Sequence, residues 1–512
     1  MGSAWDQRLG FWWIAEDHPD HPAIAASPEG ACSYAELAGR AHQLVHLLRA
    51  SGLQPGDAVA ALLPNGIGLV ECALACNEAG WYFLPLNTFL TGDEVGTILE
   101  HSSARAVFAH ERFASQVATV EGGALAAAFA VGTIDGFVPL GEVRAAHPTT
   151  APTGRRAGSL FVYTSGTTGR PKGIRRPPPD GDPDQAAHDA AVFGRAFDFV
   201  PFGGAHLVST AMYHGGSHAY YMGALNVGHP LVVMPRFDAE EALHLIEQHR
   251  VFSAYMVPTQ FHRLLQLPEE VRARYDVSSL HSVVHSAAPC PLEVKRRMME
   301  WWGPVIWETY GGMEGPATIA KPRRWLEKPG TVGRAIRGTR VAILDDDGNE
   351  LPAGELGGIY YGSDAPSFEY VGDAETTQAA YRGELFTIGD VGFVDDDGYL
   401  FIRDRAKDMI ITGGVNVYPQ EVEAVLASHP AVADVAVIGL PDDEWGESIV
   451  AVVEPAAGRT ADGVLADELL DHCRAHLAKY KCPRRVEFRG SLPRTDAGKL
   501  YKRQLRDEYV AR

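Results

Sequence analysis

The chain has 512 residues, too many for one ordinary core, and its 46% hydrophobic and 21% charged content is that of a folded protein with at least two domains. Its 45 Lys and Arg against 65 Asp and Glu leave a net charge of −20, which opposes non-specific contact with nucleic acid or an anionic membrane and points to small molecules or proteins as partners. Six cysteines, Cys32, Cys72, Cys76, Cys290, Cys473 and Cys482, include no CxxC pair and lie too far apart for a disulfide framework, so a reducing cytoplasm is the expected compartment. The opening "MGSAWDQRLGFWWIAEDHP" lacks the apolar core of a secretory signal, and Asp6 stands where a myristoylation pattern wants Ser or Thr. No later run reaches the roughly 18 apolar residues that a spanning helix needs.

In chain order, "SYAELAGRAHQLVHLLRASG" has helical periodicity, "DAVAALLPN" reads as a strand, "GLVECALACNEAG" as a helix and "WYFLPLN" as a strand. The theme returns in "HPLVVMPR", "AEEALHLIEQHR", "FSAYMVP" and "LHSVVHSAAP". Such alternation predicts an α/β body of mostly parallel sheets covered by helices. From about residue 331 to 402 the texture changes to short strands broken by Asp-Gly turns, "TRVAILDDDGNELP", "LGGIYYG" and "VGFVDDDGYLFIR", as in a small antiparallel subdomain. After Arg405, strands and helices alternate through "DMIITGG", "YPQEVEAVLASHP", "VADVAVIGLPD", "ESIVAVVEP" and "ADELLDHCRAHLAKY", a small α+β C-terminal domain. The expected division is 1–406 and 407–512. One insert, "IRRPPPDGDPD", reads as a stiff exposed excursion.

The stretch "YTSGTTGRPKG" follows the apolar run "SLFVY", which reads as a buried strand feeding a turn. Gly166 and Gly169 let the backbone approach a ligand closely, Thr164, Ser165, Thr167 and Thr168 add hydroxyls, and Lys172 adds a cation. This is a cradle for phosphate, yet not the common NTPase loop, because Pro171 rather than glycine precedes the lysine.

With that loop stand "MYHGG" at Met212, "YGGMEG" at Tyr310, "GELFTIGDVGFVDDDGYLFIRDRAKDMIITGGVNVYPQEVE" at Gly383 and "LPRTDAGKLYKRQL" at Leu492. Together and in this order they resemble the adenylate-forming superfamily, in its acyl-CoA synthetase branch, over about residues 30 to 510. The resemblance implies a ligase that joins a carboxylate to the α-phosphate of ATP, expels pyrophosphate and hands the acyl group to coenzyme A, with Mg²⁺ as the metal. Residues Thr164, Ser165, Gly166, Thr167, Thr168, Gly169 and Lys172 would hold the polyphosphate, and Glu314 the metal ion. Adenine would lie beside Ala287, Ala288, Pro289, Glu308, Thr309 and Tyr310, while Asp390 and Arg405 would take the ribose. Lys499 matches the lysine that bridges the substrate carboxylate and the α-phosphate. The C-terminal domain is implied to be mobile, pivoting at Lys407 to bring Gly413 and Gly414 to the CoA tunnel. Lys481 and its neighbour Arg484 are the candidates for the CoA phosphates.

The acyl pocket implied by the resemblance is lined by Tyr213, His214, Gly215, Gly311, Gly312 and Met313, with His214 as its gate. The aromatic and methionine-rich run "MYHGGSHAYYMGALNVG" offers no fixed charge, which fits a bulky, largely apolar acid. Met313 departs from the family, which usually places threonine there; a thioether cannot donate the hydrogen bond that the hydroxyl gives the α-phosphate. An impaired adenylation step is therefore one alternative. A second is transfer to a carrier-protein thiol in place of CoA, and the resemblance leaves room for a homodimer. For Trp301, Trp302 and Trp307, ordinary core packing is expected of at least two.

Overall fold

Several helices begin where the sequence supplies caps. Ser33 accepts a hydrogen bond from the Glu36 amide while the Glu36 carboxylate takes that of Ser33, and this capping box opens the helix Tyr34–Ala50. Thr91 and Glu94 repeat the device at Gly92–His101. The computed structural model describes residues 4–118, 120, 125–164, 172–363, 368–405, 408–412, 415–442, 445–494 and 500–510. These fall into two compact units, Met1–Met256 with Gln266–His285 and Ala365–Ala379, and Val257–Leu265 with Ser286–Asp364 and Ala380–Arg512.

The first unit holds two sheets. One runs in the order Glu369–Tyr370, Lys172–Arg175, Ser159–Thr164, Tyr82–Pro85, Ala58–Leu62, Ala104–His110, Ala127–Val131 and Val138–Pro139. Its ladders are parallel except for the two at the Lys172–Arg175 strand, so the alternation of strand and helix has its expected consequence. Leu62, Leu84, Val95, Ile98, Val107 and Phe161 pack into one buried cluster on this sheet. The other sheet is parallel through Ser282–His285, Val251–Met256, Ala205–Val208, Leu231–Val233 and Pro22–Ala26, with Cys32–Ser33 antiparallel at its edge. In the proline-rich insert, Pro177 and Pro179 are exposed as expected, but Asp182 and Pro183 do something else: the aspartate caps the helix Pro183–Phe193 and the proline fills its first turn.

The second unit is chiefly antiparallel. The hairpin Ile306–Gly312 and Gly315–Ala320 turns on Met313 and Glu314. A six-stranded antiparallel sheet follows between Thr339 and Arg405, its Asp-Gly turns closed by Asp345 and Asp395 carboxylates that accept backbone amides. Beyond it, Val432–Asp442 and Gly446–Pro455 pair antiparallel in a five-stranded sheet in which the first is an edge strand, packed by Pro419–Ala427 and Gly463–His476 through Val422, Leu426, Val437, Ala451 and Leu469. Among the described residues no helix is long and apolar enough to cross a membrane. Trp302 and Trp307 are buried, as expected of two of the three tryptophans.

Two side chains from neighbouring strands, His206 and Ser253, and one from the loop before Leu231–Val233, His229, form a buried relay in the first unit. His229 Nε2 lies 2.7 Å from the Val200 carbonyl, and its Nδ1 is 3.2 Å from the Ser253 hydroxyl, which is 2.9 Å from His206 Nδ1. With both rings neutral every contact is satisfied by one proton: His206 donates to the serine, the serine to His229, and His229 to the carbonyl. Burial accordingly holds His206 down to about 3, aided by the charge of His229, and His229 down to about 4. Because the unfolded chain takes up these protons near pH 6.5 and the folded one does not, the stability they contribute is complete above that pH and is lost as pH falls toward 4. Unfolding free energy should drop by about 1.4 kcal/mol per pH unit for each ring over this window. Urea titrations of the parent and His206→Gln at several pH values check it: the variant should show a shallower acid slope, and identical slopes would refute the assignment.

Candidate active site

In the first unit, Thr164 closes the strand Ser159–Thr164 and lies directly across the antiparallel ladder from Lys172, which opens Lys172–Arg175. The two ends of the glycine loop are therefore registered neighbours. A Cβ at Gly173 would stand 2.9 Å from the Tyr163 ring, so glycine is needed for these strands to pass. Ser165, Gly166, Thr167, Thr168 and Gly169 lie outside the described residues.

In the second unit, Tyr310, Asp390 and Arg405 come together. Asp390 and Arg405 face each other across the ladder between Asp390–Val394 and Leu400–Arg405, with Arg405 Nε 3.2 Å from Asp390 Oδ1. The Tyr310 hydroxyl donates to Asp390 Oδ2 at 2.8 Å. Burial and the adjoining carboxylate push the Tyr310 phenol well above its ordinary value, so it remains a donor. Asp390 is 5% exposed, a carboxylate fixed by two partners of different kinds. Thr309 pairs with Ile319 on the same hairpin, and Glu308 precedes it, buried. Ala287, Ala288 and Pro289 form the turn entering this unit, where Ala287 holds φ of 71°, a left-handed conformation uncommon outside glycine.

Glu314 sits at the hairpin tip beside Met313. Its carboxylate folds back over Gly312, in the space that a Cβ on Gly312 would fill. Gly311, at φ of 151°, keeps the hairpin closed, since a Cβ there would stand 2.6 Å from the Gly315 carbonyl. Glu314 offers hard oxygen donors, the chemistry that Mg²⁺ prefers, and among the described residues no group of three or more His, Cys, Asp or Glu is placed to hold a metal ion. A divalent ion that draws its remaining ligands from phosphate and water fits this donor set.

His214 is the N-cap of the helix Gly215–Asn226, and Tyr213 and His214 are half-buried in the first unit. Their loop is fixed by Asn65, whose amide donates to the Thr210 and Met234 carbonyls and accepts the Met212 amide at 2.8 Å. Gly216 lets the helix pass the Tyr255 hydroxyl, from which a Cβ would lie only 2.5 Å away. Tyr220 then stacks on the Tyr255 ring at 4.7 Å.

Toward the C-terminus, buried Asp404 and half-buried Lys502 are contributors that motif reading passed over. Asp404 Oδ1 accepts the Arg405 amide, and Oδ2 accepts Gln420 at the start of Pro419–Ala427. Burial raises its carboxyl to about 6 against the opposing pull of Lys502. The Lys502 ammonium is 2.7 Å from Glu423, and Arg494 forks onto Asp434 at 2.6 and 2.7 Å. Arg494 also bridges Leu500 across the backbone, so both ends of the segment carrying Lys499 are anchored. Lys407, Gly413, Gly414 and Lys499 themselves lie outside the described residues. Lys481 is held by both oxygens of Glu421 at 2.6 and 2.7 Å, whereas Arg484 lies over the exposed Trp445 ring at 4.3 Å.

A further missed pair lies behind Tyr310. Lys295, fully buried on the helix Leu292–Trp302, donates to Glu308 at 2.6 Å and stands 4.6 Å from the Trp325 ring centre. No local pattern marks a lysine on an apolar helix face as an ion-pair partner. Removing one member of such a pair costs about 3–5 kcal/mol. Lys295→Met should lower the urea midpoint by that measure, and adding Glu308→Gln should recover much of it; a midpoint unchanged in Lys295→Met would show the pair contributes nothing.

The family model described as AMP-binding enzyme matches residues 11–370, and that described as AMP-binding enzyme C-terminal domain matches 421–499. The chain is 35% identical to a feruloyl-CoA synthase of an Amycolatopsis species, covering 98% of this chain and 99% of that one. It is 32% identical to a long-chain-fatty-acid–CoA ligase of Mycobacterium tuberculosis, covering 98% of each. The solved structure of ATP-bound MatB from Rhodopseudomonas palustris superposes with a TM-score of 0.84 at 30% identity, covering 98% of this chain and 99% of that chain. The chain belongs to the AMP-binding, adenylate-forming enzyme family.

Proposed function

We propose that the protein is an AMP-forming acid–thiol ligase. A carboxylate oxygen of the acid attacks the α-phosphorus of ATP, the bond to the β-phosphate oxygen breaks, and pyrophosphate leaves. The CoA sulfur, its proton passed to solvent, then displaces AMP from the acyl carbon to give the thioester. The observation that carries this reading is the fixed carboxylate of Asp390 between Tyr310 and Arg405, a planar acceptor suited to two vicinal ribose hydroxyls.

In this reading Lys172, Thr164 and the glycine loop with Ser165, Gly166, Thr167, Thr168 and Gly169 hold the polyphosphate. The loop of Ala287, Ala288 and Pro289 and the backbone of Glu308 and Thr309 flank adenine. Glu314 holds Mg²⁺, which would neutralise phosphate charge when bound. Lys499 brings its ammonium to the carboxylate and α-phosphate, a task for a compact point charge. The parts 1–406 and 407–512 turn about Lys407 between the two half-reactions, and Gly413 and Gly414 then give the pantetheine arm room. For the CoA phosphates we favour Arg484 beside Trp445, since Lys481 is already engaged by Glu421. Apolar rings at Tyr220 and Tyr255 behind the Tyr213–Gly215 segment support a bulky, largely apolar acid, as do the feruloyl and long-chain acyl substrates in the relatives' names.

Pyrophosphate release over a panel of aromatic and long-chain acids, repeated with CoA and mass analysis of the product, tests the reading. One class of apolar acid should release pyrophosphate and yield its CoA thioester; release without thioester in the presence of CoA would move the acceptor to a carrier-protein thiol. Lys499→Ala should slow acyl-adenylate formation by about a hundredfold while sparing thioester formation from supplied acyl adenylate. Equal loss in both half-reactions would remove Lys499 from its role.

A further inference from the structure

Among the described residues, several buried or half-buried cations of this acidic protein are neutralised by carboxylates: Arg175 by Glu369, Lys295 by Glu308, Lys481 by Glu421, Arg494 by Asp434 and Lys502 by Glu423. Lys172 is different. Among the described residues its ammonium forms no ion pair and lies 4.6 Å from the centre of the Tyr370 ring. That ring is firmly placed. Tyr370 is 8% exposed and pairs with Ile174 in the ladder beside Lys172, and the next amide, Val371, donates to the Gly173 carbonyl at 2.9 Å. The Tyr370 amide in turn donates to the Thr377 hydroxyl at 3.0 Å, and the Phe368 ring meets Tyr370 edge-on at 5.1 Å. One register position away, Arg175 is pinned by Glu369 at 2.5 Å. The nearby Asp373 carboxylate feels the charge of Lys172 but forms no ion pair with it among the described residues, and accepts the Thr376 amide at 2.9 Å.

We propose that Tyr370 is a positioning residue for nucleotide binding, whose ring face holds the Lys172 ammonium in place, still charged and unpaired, for the ATP polyphosphate. The inference rests on the reading of Lys172 as a polyphosphate ligand. A carboxylate in the same place would compete with phosphate for the ammonium and cancel its charge at the site. A ring quadrupole instead attracts the cation by about 0.5–2 kcal/mol without supplying an anion. It narrows the positions of a long flexible side chain before the ligand arrives, so less freedom is lost on binding. The tyrosine acts through its face, not its hydroxyl, which makes phenylalanine the conservative replacement.

Isothermal titration of the full-length protein with Mg·ATP and separately with AMP tests this without knowledge of the acid. Tyr370→Leu should weaken ATP binding about threefold to thirtyfold, the worth of one cation–π contact, and leave AMP binding within about twofold, because AMP lacks the β and γ phosphates. Tyr370→Phe should bind ATP within about twofold of the parent. A Tyr370→Leu, Lys172→Met double variant should bind ATP no more weakly than Lys172→Met alone, since the ring acts through the lysine. Parallel loss of ATP and AMP in Tyr370→Leu, additive losses in the double variant, or full ATP affinity in Tyr370→Leu while Lys172→Met loses it would each overturn the proposal. Parent-like ATP binding in Lys172→Met would instead overturn the polyphosphate reading on which it stands.

Discussion

A carboxylate that is 5% exposed has to be paired, and the second unit is arranged around meeting that requirement at Asp390. Its partners come from different elements: Arg405 across the ladder, and Tyr310 from the hairpin Ile306–Gly312. The ladder shifts register between Val391 and Gly392, and Gly392 makes the shift tolerable, because a Cβ there would run into the Phe401 carbonyl. Below the site the Tyr310 ring meets Tyr361 edge-on at 5.9 Å, and Tyr361 packs on Phe386 at 4.4 Å, so the phenol is aimed from its apolar side as well. Phe386 in turn lies 3.3 Å from where a Cβ on Gly315 would stand, which joins the packing under the tyrosine to the closure of the hairpin that bears Glu314.

Strand alternation then distributes consecutive residues to different tasks. Arg405 turns toward Asp390, and Asp404, one residue earlier, turns the other way and accepts the Gln420 amide at the start of Pro419–Ala427. The same helix carries Glu421, which holds Lys481, and Glu423, which holds Lys502. One buried strand end and one helix thus tie the arginine beside Asp390 to the segments that bear Lys481 and Lys502. Asp404 and Gln420 lie on opposite sides of Lys407 in the chain, so any turn about that residue must exchange this hydrogen bond for another or for water. Burial raises that carboxyl to about 6 against the pull of Lys502 and of the two amides it accepts.

Much of this was legible in the sequence, for physical reasons that differ by element. The α/β alternation could be read because helical and strand periods are local properties, and the strands Ala58–Leu62, Tyr82–Pro85, Leu231–Val233 and Val251–Met256 lie where the apolar runs placed them. Asp-Gly turns were equally local, since their aspartates close hydrogen bonds within four residues. Tyr310, Asp390 and Arg405 were found only as members of a joint pattern; each alone reads as a turn or surface residue. What escaped was contact between residues remote in the chain: Asn65 with Met212, Lys172 with Tyr370, and the relay from His206 through Ser253 to His229. Lys295 and Glu308 are only 13 positions apart, yet they belong to a helix and a strand whose approach no spacing rule specifies. Asp182 and Pro183 show the opposite error, where residues that read as an exposed excursion serve as a helix cap because the chain resumes a helix at once.

The net charge of −20 poses a last question, how such a protein attracts a polyanion. At physiological salt the field of exposed charges is screened over about 8 Å, so acidic residues spread over the surface act weakly at any one point within it. What decides binding is the balance of charge within that radius. With acidic side chains in excess, an added cation tends to find a carboxylate and be cancelled, which is the fate of Arg175 three residues beyond Lys172. Keeping a binding cation effective therefore requires that its immediate surroundings be apolar or quadrupolar and that nearby carboxylates be occupied elsewhere. In the role proposed for Lys172, Tyr370 supplies the first condition, and the Thr376 amide, donating to the Asp373 carboxylate, the second, both from one short segment fastened to the strand that begins with the lysine.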